Sequence, residues 1–380
     1  MKKIGIIGGG LHSKMLILEG KRLDYRFVIL DPDFNCPAHG SCDQHIVADC
    51  NDTEAVKRLA AKADVVTYEL EYINPETLMA IEETGVPVYP SSRTFSLIQD
   101  KYSQKEWMRK NGIPVAEFVR VDNLEAVYQA GERLGYPIML KTCRGSFDGS
   151  GNYPIREKRE ADKAYRALGS GRKLLMAERI VDIDREISIL ACSNAAGEME
   201  VFPAAENAYV DNRLERTTVP ARIISEAEKE AEDVARRCLE AFDVCGLLCI
   251  ELFIAKDGRV LVNELALRPH SSGHYTIEGC VTSQYEQHMR SILGLSLGSG
   301  RLLRPTVMKN ILGNHEGNAH LHGLEEAYRG NPDVKIYIYG KEKVEKGALM
   351  GHVTAVADTI EEAMRQVENA HKAIYFSDEE

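Results

Sequence analysis

Two glutamates separated by a tight turn are the residues of this sequence best suited to chemistry. Asp257-Gly258 is a strong signal for a β-hairpin turn, and apolar residues alternate on both sides of it. A two-residue loop at these positions places Glu251 directly opposite Glu264. Such a pair shares one face of the sheet, with Cβ atoms about 4.5–5.5 Å apart. The sequence therefore predicts two facing carboxylates.

Like charges in this arrangement destabilise a hairpin unless a cation neutralises them. Carboxylate oxygens suit Mg²⁺, which keeps several water ligands and binds substrate phosphates, whereas a zinc site commonly includes Cys or His. The pattern thus predicts a magnesium site at Glu251 and Glu264. The alternative is that one glutamate is solvated and the strand register is shifted by one residue.

Two glycine-rich segments could approach phosphate groups. Gly8–Gly10 follow the first apolar run, as in a dinucleotide fingerprint. Such a fingerprint would indicate an oxidoreductase. The position of its third glycine, however, is occupied by Ser13 in this sequence. A turn that merely lets backbone approach a phosphate or the next helix is the alternative.

Residues 145–151 form a second loop, which we expect between two strands. Because Lys141 and Arg144 flank this loop, its backbone N–H groups could cover phosphates, although a plain hairpin tip is also possible.

The composition is that of an ordinary soluble protein, with 44% hydrophobic and 28% charged residues in 380. The net charge of −11 argues against nucleic-acid and anionic-membrane partners. No apolar run reaches the roughly 18–20 residues that a membrane span needs. Nine cysteines without a CxxC pair indicate reduced thiols. We therefore expect a cytoplasmic protein of two or three domains.

The chain divides into three predicted regions of a mixed α/β and α+β fold. Residues 1–110 alternate apolar runs with helical stretches, and KKIGIIGGG, YRFVILD, ADVVTYELE and VPVYP are predicted parallel strands. Residues 111–298 contain a predicted helix at 124–134, two strands that carry Glu178 and Glu186 near their ends, and the hairpin. Residues 299–380 form a smaller β-rich unit that closes with a helix.

A series of motifs in order along the chain points to one family. They are GIIGGG, ILDPD, TYELE, the Asp100-Lys101 pair, LKTCRGSFDGSG, the Glu178/Glu186 pair, IELF, VNELALRPHSSGHYTIEGCVTSQYEQH, YGKE and MGHVTAV. Over nearly its whole length the chain resembles the 5-(carboxyamino)imidazole ribonucleotide synthases, which are ATP-grasp enzymes and ATPase subunits of phosphoribosylaminoimidazole carboxylase. The resemblance disfavours a dehydrogenase.

The resemblance implies a Rossmann-like N-terminal domain, a central ATP-grasp domain and a small C-terminal domain. The implied activity is carboxylation of aminoimidazole ribonucleotide with ATP and bicarbonate, through carboxyphosphate, in purine biosynthesis. It further implies ATP and two Mg²⁺ ions as cofactors, and a homodimer.

The resemblance also assigns roles to individual residues. Catalytic roles fall to Arg268, His270 and Lys141. The nucleotide would be bound by Lys101, Lys141, the loop residues Ser146, Phe147, Asp148, Gly149 and Gly151, the adenine-edge residues Glu178 to Val181, the ribose contact Glu186, and Asn263 and Glu264. Magnesium would be held by Glu251, Glu264 and Asn263, although a regular strand would turn Asn263 to the opposite face. The substrate would be bound by Gly10, Leu11, Glu71, Arg268, His270, Ser271 and Lys341.

The sequence departs from the family pattern on the amine-substrate side. Ala348 and Leu349 occupy the positions of an Arg-Lys pair that helps to hold the substrate phosphate in the family, and Lys341, Lys343 or Lys346 could compensate. The alternative function is therefore an ATP-grasp carboxylase or carboxylate-amine ligase of the same family that acts on another amine. A non-catalytic nucleotide-binding regulator is disfavoured by the intact glutamate pair.

Overall fold

The N-terminal region is built around a parallel sheet with the strand order β3-β2-β1-β4. The computed structural model describes residues 2–145 and 151–379. The elements of this region are β1 (Lys3–Ile7), α1 (Leu11–Lys21), β2 (Arg26–Asp31), β3 (Gln44–Val47), α2 (Thr53–Ala60), β4 (Val65–Tyr68), α3 (Pro75–Glu82), α4 (Ser92–Gln99) and α5 (Lys101–Lys110). The buried apolar runs of β1, β2 and β4 confirm three of the predicted strands.

The fourth predicted strand, at VPVYP, is wrong. It forms only an isolated parallel bridge between Val66 and Val88. Pro87 has no N–H to donate to β4, which explains why the pairing does not extend before Val88. The strand β3 has little apolar patterning and was not predicted from the sequence.

The middle region contains a small antiparallel sheet, in the order β5-β8-β6-β7, and the beginning of a larger sheet. Its elements are β5 (Phe118–Val121), α6 (Leu124–Leu134), β6 (Ile138–Thr142), β7 (Asn152–Ile155), a 3₁₀-helix (Lys158–Glu160), α7 (Ala161–Ala167), β8 (Leu175–Arg179), β9 (Ile183–Ser193), β10 (Met199–Val201), β11 (Ala205–Val210), β12 (Arg213–Val219), α8 (Ser225–Ala241), β13 (Gly246–Ala255), β14 (Val260–Ala266), a 3₁₀-helix (Ser271–Gly273), α9 (Thr276–Gly279) and α10 (Gln284–Ile292). The predicted helix at 124–134 is confirmed. The glycine-rich loop connects the paired strands β6 and β7, as expected.

The larger sheet continues into the C-terminal region, where its order is β14-β13-β9-β11-β12-β15-β20-β18, with β10 on β9. The remaining elements are β15 (Thr306–Leu312), β16 (Gly317–Asn318), β17 (His320–His322), α11 (Leu324–Gly330), β18 (Lys335–Ile338), β19 (Lys343–Val344), β20 (Leu349–Val356), α12 (Ile360–Ala373) and β21 (Tyr375–Ser377). The helix α12 packs its buried side chains against β15 and β20. Among residues 2–145 and 151–379, we find no helix of the length and apolar character needed to cross a membrane.

A partly buried polar contact joins the middle and C-terminal regions. The hydroxyl of Tyr337 on β18 donates a hydrogen bond of 2.5 Å to the carboxylate of Glu278 on α9. Burial raises the pKa of Glu278 to about 7, although the Tyr337 hydrogen bond opposes this shift. The protonated carboxyl is therefore favoured by the folded state.

The raised pKa makes the stability of this contact pH-dependent. The contribution of the protonated Glu278 to the free energy of unfolding is fully present below the unfolded-state pKa of this group. It is lost as the pH rises through about 7, the pKa in the folded state. The free energy of unfolding of the wild type should fall between pH 5 and pH 8, and that of Glu278→Gln should not. We therefore expect the stability of Glu278→Gln relative to the wild type to be greater at pH 8 than at pH 5, by on the order of 3 kcal/mol. Thermal or urea unfolding at the two pH values measures this gain, with the exposed Glu325→Gln as control. A difference between Glu278→Gln and wild type that is equal at both pH values would contradict the prediction.

Candidate active site

The hairpin formed by β13 and β14 pairs Glu251 with Glu264, as predicted from the sequence. The expected two-residue loop is wrong, however. Ala255 and Arg259 are linked by a backbone hydrogen bond, so the loop has three residues, and Gly258 adopts a φ of +89° in it. The register shifts by one residue between Glu251 and Leu252. This β-bulge compensates for the longer loop, and the two carboxylates therefore still face each other.

The same bulge explains the position of Asn263, which a regular strand would turn away from the site. Glu264 pairs with Glu251, and Val262 pairs with Leu252, so Asn263 is the extra residue. Its side-chain oxygen accepts a hydrogen bond of 3.5 Å from Nζ of Lys141. Asn263 therefore faces the lysine beside the two glutamates.

The electrostatics around Glu251 fit a cation. Burial, followed by the charge of Glu264, raises the pKa of Glu251 to about 8. Nζ of Lys101 lies 2.8 Å from a carboxylate oxygen of Glu264, and Nε2 of His270 lies 3.6 Å from Oε1 of Glu251. A divalent ion that replaced the Glu251 proton would relieve this repulsion, and Asn263 would add a neutral oxygen. Within the part of the chain that the structure describes, we find no group of three or more His, Cys, Asp or Glu side chains that could hold a metal ion. Phosphate and water oxygens would therefore have to complete the coordination.

The predicted nucleotide residues form a second charged group beside the hairpin. Nζ of Lys141 lies 2.5 Å from Glu178, which is buried and also contacts Lys105 at 2.6 Å. Burial alone would raise the pKa of Glu178, but the two ammonium groups overcome it and lower the pKa to about 2. The Glu178 carboxylate is thus committed to two lysines, which leaves backbone atoms of the 178–181 segment for an adenine edge. Glu186 lies on β9 opposite Phe253 of β13, and burial raises its pKa.

The base of the glycine-rich loop is fixed by its neighbours. The backbone N–H of Lys101 donates to the carbonyl of Cys143, and that of Thr142 donates to the carbonyl of Gly151. Arg144 pairs with Asp100 at 3.0 Å. The predicted phosphate contacts Ser146, Phe147, Asp148 and Gly149 lie outside the described residues.

A cavity of about 360 Å³ lies beside the hairpin. Its charged lining residues include Glu71, Lys101, Glu264 and Arg268, and many of its other lining residues are apolar or aromatic, Tyr68 among them. Arg268 pairs with Glu71 at 2.7 Å. The Tyr68 hydroxyl is buried and has no hydrogen-bond partner among the described residues. The cavity can therefore accept a small molecule that has both polar and flat apolar parts.

The remaining predicted substrate residues occupy different positions. The N–H of Gly10 donates to the carboxylate of Glu69, and Leu11 begins α1. Ser271 is buried in the 3₁₀-helix beyond the hairpin, next to His270. Burial, with the charges of Arg268 and His274, lowers the pKa of His270 to about 3, so its imidazole is neutral. Lys341 lies exposed in the loop between β18 and β19.

Sequence reasoning missed two charged residues of this site. Lys105 follows Lys101 by one helical turn, and this spacing could have indicated that both ammonium groups face the same direction. Glu69 is buried, and its carboxylate accepts from the backbone of Gly10 and, at 3.0 Å, from that of Ser13. It thereby fixes the first glycine turn against β4.

Comparison with known families agrees with this architecture. The ribonucleotide synthetase preATP-grasp domain matches residues 1–99, the ATP-grasp domain matches residues 106–285, and the phosphoribosylaminoimidazole carboxylase C-terminal domain matches residues 306–366. These matches confirm the predicted order of regions.

Individual relatives match along nearly the whole chain. The N5-carboxyaminoimidazole ribonucleotide synthase of Bacillus subtilis is 36% identical over 96% of this chain and 94% of its own length. The phosphoribosylaminoimidazole carboxylase of Ogataea methanolica is 34% identical over 96% of this chain and 68% of its own length.

Solved structures are similar to the same extent. The N5-carboxyaminoimidazole ribonucleotide synthetase of Thermotoga maritima superposes with a TM-score of 0.90 at 38% identity, over 100% of both chains. The Aspergillus clavatus N5-carboxyaminoimidazole synthase, in complex with ADP and 5-aminoimidazole ribonucleotide, gives a TM-score of 0.89 at 31% identity over 98% of both chains. This chain therefore belongs to the N5-carboxyaminoimidazole ribonucleotide synthase family of ATP-grasp ligases, which form a C–N bond with ATP.

Proposed function

We propose that this chain uses ATP and bicarbonate to carboxylate 5-aminoimidazole ribonucleotide to N5-carboxyaminoimidazole ribonucleotide in purine biosynthesis. The observation that carries this proposal is the facing pair Glu251 and Glu264 beside two lysines and a cavity. Family membership supports the same activity.

Bicarbonate is a poor electrophile, so the first step would transfer the γ-phosphoryl group of ATP to it and give carboxyphosphate. Glu251, Glu264 and Asn263 would hold Mg²⁺, which would supply charge neutralisation to the transferring phosphoryl group. Lys101 and Lys141 would bind the phosphates, and Glu186 the ribose. The chain's contribution is chiefly positioning and electrostatic stabilisation.

The second step would be attack of the substrate amine on the carboxyl carbon of carboxyphosphate, with phosphate as the leaving group. Arg268 and Glu71 line the cavity together, which supports a role for the guanidinium in binding the bicarbonate-derived group. The neutral His270 can donate a hydrogen bond to that group or accept one from it. The Tyr68 hydroxyl, which is buried and unpaired within the described residues, is a further proposed contact of the amine substrate. Gly10, Leu11, Ser271 and Lys341 remain proposed substrate contacts. Residues 146–151 would cover the phosphates and exclude water, since carboxyphosphate hydrolyses readily.

A second candidate function, the same chemistry on a different amine, is favoured by Ala348 and Leu349. These residues lie where β20 begins and offer no charge to a substrate phosphate. Of the lysines that could compensate, Lys343 donates a 2.6 Å hydrogen bond to Asn318. Arg213 packs its guanidinium against Gly347, and it is a cation that the sequence did not suggest.

The release of ADP in the presence of bicarbonate distinguishes these two functions. With 5-aminoimidazole ribonucleotide added, we expect ADP release to be stimulated and to require Mg²⁺. ATP turnover that this nucleotide does not stimulate would favour the other amine. A chain that binds no ATP would contradict both functions.

We also propose a homodimer, two bound Mg²⁺ ions and a cytoplasmic location. The location is supported by nine free cysteines, most of them buried. We further propose domain boundaries after residues 110 and 298; the end of α5 at Lys110 and the segment between α10 and β15 support them.

A further inference from the structure

Lys105 is a buried lysine for which the proposed chemistry has no use. It is 2% exposed, and its Nζ lies 2.6 Å from Oε1 of Glu178. Lys141 takes the other oxygen of the same carboxylate, at 2.5 Å. One carboxylate therefore serves two ammonium groups.

The helix α5 delivers Lys105 to this place. The Asp100 side chain caps the helix by accepting from the backbone N–H of Ser103, so its first turn is fixed. Lys101 and Lys105 then point in the same direction, one turn apart. Lys101 contacts Glu264 on the hairpin, whereas Lys105 contacts Glu178 on β8 and, at 3.4 Å, the carbonyl of Val262.

The two lysines that share Glu178 differ in access to the cleft. The Lys105 side chain is 2% exposed and that of Lys141 is 12% exposed. Lys141 also reaches Asn263 beside the glutamate pair. A nucleotide phosphate can thus contact Lys141, whereas Lys105 acts only through Glu178.

The charge balance indicates what Lys105 does. With both lysines present, the group Lys105, Glu178 and Lys141 carries a net charge of +1. Without Lys105, Glu178 would neutralise Lys141 completely and bind it more tightly. We propose that Lys105 is a positioning residue that shares the Glu178 carboxylate and so keeps the Lys141 ammonium available to a nucleotide phosphate. This inference rests on the proposed function, in which Lys141 binds the phosphates of ATP.

Substitutions that change this charge balance test the proposal. Lys105→Met leaves a neutral Glu178–Lys141 pair, so it creates no unpaired buried charge and should fold. We expect it to weaken the binding of MgADP roughly tenfold, because a charge-assisted contact is lost. The double variant Lys105→Met with Glu178→Gln restores the net charge of +1, and we expect it to recover most of that affinity. Isothermal titration calorimetry with MgADP measures both effects.

The controls separate positioning from general stability. Lys110→Met removes an exposed lysine of the same helix and should bind MgADP like the wild type. Lys105→Arg keeps the charge and, if Lys105→Met does not fold, should retain MgADP affinity. A Lys105→Met variant with wild-type affinity would overturn the proposal, as would a double variant weaker than the single one or a folded Lys105→Arg with tenfold weaker binding. If the wild type itself binds no MgADP, the proposed function fails together with this inference.

Discussion

Replacing Glu264 with Gln is expected to lower kcat by about 10³-fold, because under the proposed mechanism the variant would lack a charged oxygen ligand for the Mg²⁺ that binds the transferring phosphoryl group. Glu264 also pairs with Lys101 at 2.8 Å, so the substitution frees that ammonium as well. Steady-state ADP release with saturating ATP, bicarbonate and amine substrate measures the loss.

Glu251→Gln separates the metal role from a role in folding. Since burial and Glu264 raise the pKa of Glu251 to about 8, its carboxyl is mostly protonated at pH 7 in the ligand-free protein, and Gln resembles that form. We expect this variant to unfold at the same temperature as the wild type and yet to lose activity as Glu264→Gln does. Asp257→Asn, at the exposed tip of the same hairpin, is the control and should keep full activity. Wild-type rates in either glutamate variant would refute the metal assignment.

The second large effect is expected for Arg268→Met, which should lower kcat/KM for bicarbonate about 10²-fold to 10³-fold and leave the KM for ATP nearly unchanged. Arg268 lines the cavity with a planar set of donors, and its removal would take away the charge-assisted contact that we propose for the bicarbonate-derived group. It also leaves Glu71 without its partner at 2.7 Å.

Two further variants isolate the cause of that effect. Arg268→Lys keeps the charge but not the paired geometry, so we expect an intermediate loss of kcat/KM. Arg259→Met, at the exposed hairpin tip, should behave like the wild type. If Arg268→Met raises the KM for ATP and leaves that for bicarbonate unchanged, the arginine belongs to the nucleotide site instead.

The hairpin shows how far sequence reasoning reaches in this protein. The turn signal and the alternating pattern predicted the Glu251–Glu264 pair, which the structure confirms. The loop is one residue longer than predicted, and the bulge at Asn263 restores the register. The bulged residue Asn263 contacts Lys141, which is far away in the sequence, so a local pattern of period two cannot reveal the bulge.

The contacts that sequence reasoning missed join residues far apart in the chain. Lys105 on α5 meets Glu178 on β8, and Glu69 meets the turn at Gly10. Nothing local in the sequence marks either pair, since a lysine on a helix and a glutamate after a strand are normally solvated. Pro87 limits the strand that was predicted at VPVYP, and attention to its missing N–H group would have weakened that prediction.

The most direct test of the proposed chemistry uses bicarbonate labelled with ¹³C and ¹⁸O, together with ATP, Mg²⁺ and 5-aminoimidazole ribonucleotide. If the chain forms carboxyphosphate and transfers its carboxyl group, one ¹⁸O atom should appear in the released phosphate and ¹³C in a carbamate on the substrate amine. Unlabelled phosphate, or ADP release without ¹³C in the nucleotide product, would contradict the account.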